Sequence, residues 1–332
     1  MANEIYPVSW WGSPVENGWG GSYYNFAQGG GLDGTSFITT WRTTTTNETI
    51  TIPTSGGGYN YNIVTSDGQE FTGLTGNHTI TFANAGDYDV SISGDFPLIY
   101  INNGVDKDKI IDIKQWGNIV WTNFLRAFYG CSNLVGSFTD APNLANVTNL
   151  QDSFRNCSSF SANLSSWDVS NVTNFINTFI IFGGVVTAPS TTVSGLGSWD
   201  MSSAVSIGSM FRKQTNYNED LSSWDVSNVK NMLNVFSGST SFDQDLSNWN
   251  IINVTNFNSF ARDATFSTSN YDAILIGWES TLQGTYPNGS GYTPTISINF
   301  GNSQYTSGGA AETARTSLIN NFNWTITDGG SI

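Results

Sequence analysis

One nine-residue segment occurs twice in this chain without a change. Leu-Ser-Ser-Trp-Asp-Val-Ser-Asn-Val fills residues 164–172 and again residues 221–229. Related segments carry further tryptophans, and steps of 32, 25 and 25 residues separate Trp167, Trp199, Trp224 and Trp249. A period in the mid-twenties predicts a solenoid, in which each unit buries its apolar face against its neighbours. We therefore expect long, regular surfaces and a repeated core without catalytic chemistry.

Within each repeat, an Asn-Val pair leads into a turn of helix. Met232, Val235 and Phe236 recur at helical spacing, which predicts one inward face. A second slot is held by polar residues that we expect to be buried and to bond the adjoining coil: Asn146, Asn171, Ser203, Asn228 and Asn253. Phe260 falls one residue early, as expected where the repeats begin to terminate.

This repeat core, followed by Phe242-Asp-Gln-Asp-Leu246, resembles the BspA-type leucine-rich repeat. The resemblance covers roughly half the chain, from about residue 102 to residue 265. That family occurs on bacterial surfaces and in phage structural proteins. The resemblance implies an adhesive or structural role and no catalytic residues.

Residues 37–101 predict a small β-sandwich. Five runs alternate apolar and polar residues, and glycine-containing turns separate them at intervals of about ten residues. The Asp67-Gly68 turn and the 85–92 segment resemble the PKD-like immunoglobulin-type domain. That family usually has Trp-Gly-Asp-Gly at the turn, whereas this chain has Thr65-Ser66-Asp67-Gly68.

The predicted fold is mainly β with short helices and has four parts. They are an aromatic and Gly-rich arm (1–36), a PKD-like sandwich (37–101), leucine-rich repeats in a solenoid (102–265) and a C-terminal capping domain (266–332). The cap is predicted to contain helices near Tyr271–Trp278 and 309–320 and strands near 295–300 and from Trp324. An open end of stacked repeats exposes apolar surface, which such a cap would cover.

Three tryptophans of the arm, Trp10, Trp11 and Trp19, have too little surrounding sequence to bury themselves. Exposed aromatic residues in this number favour aggregation unless a partner covers them. We therefore predict that the arm anchors the protein in an assembly.

Composition excludes some partners. Eleven basic residues against 26 acidic ones give a net charge of −15, which repels nucleic acid. No stretch approaches the length of a membrane span, and the first residues lack the basic and apolar regions of a signal peptide. We therefore expect no membrane span and no export by the general pathway.

Few residues could carry chemistry. The single histidine, His78, lies in a predicted strand, and no cysteine pair has metal-ligand spacing. Cys131 and Cys157 occupy the same slot of successive repeats, where they are either buried thiols or a disulfide. We expect no enzymatic activity and no cofactor.

Asp168, Asp200 and Asp225 follow the repeat tryptophans and should lie in a column. Stacked carboxylates repel one another unless a cation or hydrogen bonds compensate. Calcium is one interpretation. Capping of a local turn by each aspartate is the other, and Asn250 in the same slot favours it because an amide keeps the bonding without the charge.

An insertion at residues 183–195 stretches the third repeat and contains Val185, Val186 and Val193. Irregular loops on rigid scaffolds are common recognition sites. The insertion is therefore a possible recognition loop, and a neutral insertion is the alternative.

These features favour a non-enzymatic structural or adhesion protein of a bacteriophage virion, such as a head or tail fibre, spike or decoration protein. Its expected partners are other virion proteins or itself, as a homo-oligomer that could be a trimer, and a glycan or protein of the host surface. A bacterial cell-surface adhesin, located outside the cell, is the first alternative. An accessory module of a carbohydrate-active enzyme is the second.

Overall fold

A computed structural model of the 332-residue chain describes residues 33–182 and 192–332. The first strands are β1 (Phe37–Thr43), β2 (Glu48–Ile52), β3 (Asn60–Thr65), β4 (Glu70–Leu74), β5 (His78–Phe82), β6 (Gly86–Asp95) and β7 (Ile110–Gln115). Short strands follow at β8 (Val135–Gly136), β9 (Ser161–Asn163) and β10 (Thr192–Ser194). The C-terminal elements are α1 (Thr268–Thr285), β11 (Ile296–Asn299), α2 (Ala310–Phe322) and β12 (Trp324–Thr327).

Six strands form a mixed sheet in the order β4-β3-β6-β1-β7-β8, in which only β7 and β8 are parallel. The remaining strands pair two by two, as β2 with β5, β9 with β10 and β11 with β12. The strands predicted from the alternating runs are confirmed as β1, β2, β3, β5 and β6. Neither β4 nor β7 was predicted, and β7 lies beyond residue 101, where the predicted sandwich ends.

The predicted fold class, a small sandwich followed by a leucine-rich-repeat solenoid with a cap, is wrong. In the described part of the chain the architecture is mainly β with two helices, one mixed six-stranded sheet and small two-stranded sheets, none of them closed. Most neighbouring repeats share only one parallel β-bridge, along the column Asn149, Asn174, Ser206, Asn231 and Asn256, and their other backbone hydrogen bonds join turns. A leucine-rich-repeat solenoid needs a continuous parallel sheet, and one extended residue per repeat is too short to form it.

Aromatic rings pack the repeats against one another. We call residues 122–182 and 192–266 the repeat stack. Its central column has ring centroids 5.4–6.2 Å apart and nearly parallel planes, at Phe128, Phe154, Phe179, Phe211 and Phe236. Phe260 lies edge-on to Phe236, at 89°. The early placement of Phe260 therefore ends the column, as the sequence predicted.

The tryptophans Trp199, Trp224 and Trp249 each tie their repeat to the one before. The indole N–H of Trp224 donates to the Leu196 carbonyl at 2.8 Å, and Trp249 donates to Leu221 at 2.9 Å. In α1, Trp278 donates to Leu246 at 2.8 Å. The helix thus continues the pattern of the repeats, because its indole gives the last leucine carbonyl of the series the same second hydrogen bond.

Left-handed turns let each repeat change direction at the same place. Five equivalent residues have φ between 54° and 59°, namely Asp152, Asn177, Ser209, Asn234 and Ser259. Asn and Asp tolerate this region because their short side chains can bond the local backbone. The recurring polar residue at this slot is therefore a backbone requirement.

The C-terminal segment covers the end of the stack. The predicted helices and strands of this segment are confirmed as α1, α2, β11 and β12. Asp328 accepts hydrogen bonds from the Tyr271 hydroxyl at 2.6 Å and from Arg315 Nε at 2.8 Å, and its side chain is 4% exposed. This buried cluster joins both helices to the chain that follows β12. Neither α1 nor α2 has the length and apolar character needed to cross a bilayer.

The Trp224→Ala variant should lose about 3–5 kcal/mol of unfolding free energy, because it removes a buried ring from between two repeats. Trp224→Phe keeps most of the ring and should lose only about 1–2 kcal/mol, for the missing hydrogen bond. Chemical denaturation of both variants and the parent measures the two losses. Equal losses would contradict a packing role for the ring.

Acid should weaken the anchorage of the first described residues. Burial alone would raise the pKa of Asp33, but hydrogen bonds from Ser36, Thr35 and Gln115 outweigh it and lower the pKa from 3.8 to about 2. A lowered folded-state pKa contributes stability above about pH 4, and that contribution is lost as the pH falls towards 2. Thermal melts between pH 5 and 2 should therefore fall more steeply for the parent than for Asp33→Asn. Parallel curves would contradict this expectation.

Candidate binding surface

The aspartates predicted to form a cation column each cap their own turn. Oδ1 of Asp168, Asp200 and Asp225 accepts the N–H of the residue two positions later at 2.9–3.1 Å. Asn250 makes the same bond at 3.3 Å. Hydrogen bonds from the side chain and backbone of Ser202 lower the pKa of Asp200. Within residues 33–182 and 192–332, no cluster of three or more His, Cys, Asp or Glu could hold a metal ion.

The asparagines predicted to be buried are exposed, which corrects that expectation. Asn146, Asn171, Asn228 and Asn253 lie at the surface, and Ser203 is half-buried. The Nδ2 atoms of Asn171, Asn228 and Asn253 donate to carbonyls 26 residues earlier at 2.7–3.2 Å, so the predicted bond to the adjoining coil is confirmed. The half-buried polar position belongs instead to the bridging column from Asn149 to Asn256, which the repeat pattern did not indicate.

The remaining predicted sites are only partly visible. Trp10, Trp11 and Trp19 of the arm, and Val185 and Val186 of the insertion, lie outside the described residues. Val193 is described, and it lies in β10 beside Ala162 of β9 with 6% of its surface exposed. The recognition role of the insertion stays a prediction.

The two cysteines are free buried thiols. Burial, and then contact with Cys157, raises the pKa of Cys131. The Cys157 thiol donates to the Phe128 carbonyl at 3.0 Å. His78 lies in β5 with its ring 4.3 Å from that of Phe71. These contacts give all three side chains a packing role.

A row of alternating cations and aromatic rings crosses four neighbouring repeats. The guanidinium of Arg155 lies 4.7 Å from the Tyr129 ring and 4.8 Å from the Phe182 ring. Arg212 lies 5.0 Å from the Phe182 ring. We call Tyr129, Arg155, Phe182 and Arg212 the arginine ladder. Each cation–π contact is worth about 0.5–1 kcal/mol at an exposed site.

The ladder concentrates positive charge on an acidic protein. Asp152, whose side chain is 2% exposed, pairs with Arg155 at 3.1 Å and lies 3.5 Å from Nε of Arg126. No carboxylate in the described part of the chain pairs with Arg212. Arg126 and Arg155 therefore share one carboxylate, and Arg212 has none.

Sequence reasoning missed the ladder although the sequence contains one signal for it. Arg155, Arg212 and Arg262 occupy the same slot of their repeats. The first two directly follow phenylalanines of the central column, and Arg262 follows Ala261, which stands at the equivalent position. Phe182 gives no such signal, because it stands in the slot that Cys157 fills in the preceding repeat.

Calcium in the millimolar range should leave the thermal melt unchanged, because each aspartate of the column is engaged by its own turn. Asp200→Asn should preserve stability, whereas Asp200→Ala should cost about 0.5–1.5 kcal/mol for the lost turn bond. Calorimetric melts with calcium or with a chelator measure both effects. Stabilisation by calcium that Asp200→Asn abolishes would restore the cation interpretation.

Comparison with known proteins gives one family match. The family described as "Mycoplasma protein of unknown function, DUF285" matches residues 122–183 and 181–278. The match coincides with the repeat stack and α1, and its description assigns no function. No curated protein and no solved structure matches the chain.

Proposed function

We propose that this protein is a non-enzymatic adhesion and structural protein that makes its contacts through the repeat stack. The arginine ladder is the observation that carries this proposal. Side chains from four repeats meet on one surface, where they form a cationic row on a chain of net charge −15. A cationic row on an acidic protein attracts an anionic partner only at short range, because physiological salt screens charges over about 8 Å. Such a row therefore favours a partner whose charges are arranged to match it.

The environment of the candidate catalytic groups supports a role without chemistry. The only histidine packs against Phe71, and the thiols of Cys131 and Cys157 are fully buried. One hollow of about 540 Å³ between the sheet and the first repeats contains a single carboxylate, Asp95.

A second hollow, of about 500 Å³ beside β1 and β7, contains three carboxylates, but Asp87 and Asp89 are paired with Arg42 and Lys114. General acid–base catalysis by two carboxylates needs both within reach of one substrate. In neither hollow are two carboxylates free of an ion pair.

The placement of the protein in a virion is proposed from the sequence alone. The resemblance to BspA-type repeats favours an adhesive protein of a bacteriophage virion, with the arm at residues 1–36 as the anchor. A bacterial cell-surface adhesin is the alternative that the same repeats support. The resemblance of the Asp67-Gly68 turn to PKD-like domains suggests a relationship for the first domain and adds nothing to the function.

Deletion of residues 1–30 tests the anchoring role. The deletion variant should keep the melting temperature of the parent, because the sheet begins at Phe37, but it should no longer enter particles or oligomers. Sedimentation of the purified chains, and immunogold labelling of particles and of cell surfaces, measure assembly and location.

Each result separates the possibilities. Labelling of virions supports the virion proposal, whereas labelling confined to cell surfaces supports the adhesin. A deletion that unfolds the protein would mean that the arm belongs to the first domain. Labelling of neither particles nor cells would contradict an adhesive role.

A further inference from the structure

The arginine ladder holds its guanidinium groups in fixed positions. Arg155 is sandwiched between two rings and donates from Nη1 to the buried Asp152 at 3.1 Å. Arg212 contacts the same Phe182 ring from a repeat further along the stack. A free arginine side chain loses about 2 kcal/mol of rotamer entropy when a ligand fixes it. The contacts with the aromatic rings and with Asp152 already restrict these arginines, so binding removes less of their rotamer entropy.

The donors of the ladder are only partly used. A guanidinium has five N–H groups. Arg155 donates from Nη1 to Asp152. The Nε atoms of Arg155 and Arg212 are buried and without a hydrogen-bond partner, so only the Nη groups can meet a ligand. Arg212 has no ion pair with a described carboxylate. Its Nη groups therefore lack an acidic acceptor in the described chain, which matches a ligand that carries acidic oxygens.

We infer that the arginine ladder binds an anionic polysaccharide, with carboxylate groups seated on Arg155 and Arg212. This inference rests on the proposed adhesive function and specifies its ligand. Guanidinium groups bind carboxylates through two parallel hydrogen bonds, a geometry that a lysine cannot supply. In a polysaccharide with regularly placed uronic acids, carboxylates on one side recur along a stiff chain.

Spacing favours a glycan over a peptide. The two guanidinium groups come from repeats on either side of the one that carries Phe182, so they lie roughly 10 Å apart, about two inter-strand spacings of 4.8 Å. One face of an extended peptide repeats about every 7 Å, which is too short for this spacing. A disaccharide unit of an extended glycan can bridge it. Nucleic acid is disfavoured because the whole chain carries a charge of −15.

Binding of oligogalacturonate to the full chain tests the inference, with isothermal titration calorimetry at low and physiological salt. The parent should bind it more tightly than neutral dextran oligomers, and binding should weaken with salt. Arg155→Gln/Arg212→Gln should weaken binding at least tenfold. Arg155→Lys/Arg212→Lys keeps the charge but should still weaken binding several-fold, because it loses the planar, two-pronged contact. Arg42→Gln/Lys230→Gln removes the same charge elsewhere and should bind like the parent.

Thermal melts establish that each variant is folded before its binding is compared. Absence of oligogalacturonate binding by the parent would overturn the inference, as would equal binding by the Gln double variant. Equal or tighter binding of poly-glutamate would also overturn it, by assigning the ladder to acidic peptides. Adhesion of the parent to cells or particles, measured in parallel, keeps the two proposals separate. Equal adhesion of the parent and of Arg155→Gln/Arg212→Gln would contradict the proposed ligand but not the adhesive function.

Discussion

Backbone hydrogen bonds between neighbouring repeats hold this structure in register, and the other contacts of the repeats depend on them. The N–H groups of Phe154, Phe179 and Phe211 each donate to a carbonyl of the following repeat at 3.0–3.1 Å. A shift of one residue would separate the stacked phenylalanine rings and move each tryptophan away from the leucine carbonyl that it now reaches. Fixed register is therefore what turns a sequence period into columns of side chains.

Those columns divide into two kinds with different physical tasks. Inward columns of Phe and Trp bury apolar area, which is the main favourable contribution to folding. Outward columns of Asp and Asn satisfy turns and neighbouring carbonyls, as Asp200 and Asn228 do. Both kinds serve the backbone or the core. The arginine ladder differs, because its cations retain donors that nothing in the described chain accepts, and this difference marks it as a surface for a partner.

The C-terminal helices follow from the same constraint. In the last repeat the Leu246 carbonyl accepts a second hydrogen bond from Trp278 of α1, whose ring also packs edge-on against Phe260. The cluster of Asp328, Tyr271 and Arg315 then fixes the helices against the final strand. The cap thus completes hydrogen bonds and apolar contacts that the repeats leave open, so the end of the stack needs no further repeat.

The sequence by itself determined the period, the inward Phe and Trp positions, the turn role of Asp200 and most of the strands from Phe37 to Asp95. Each of these follows from the spacing of residues that are close along the chain, because alternation and repetition are local patterns. Only the tertiary structure decided the sheet order, since β7 joins β1 across more than 60 residues and carries no local signal of its partner. It also decided that Asn171 and its equivalents lie at the surface while their Nδ2 atoms reach the adjoining repeat. The ladder could not be predicted from the sequence, because Phe182 meets Arg155 and Arg212 only after three repeats are stacked.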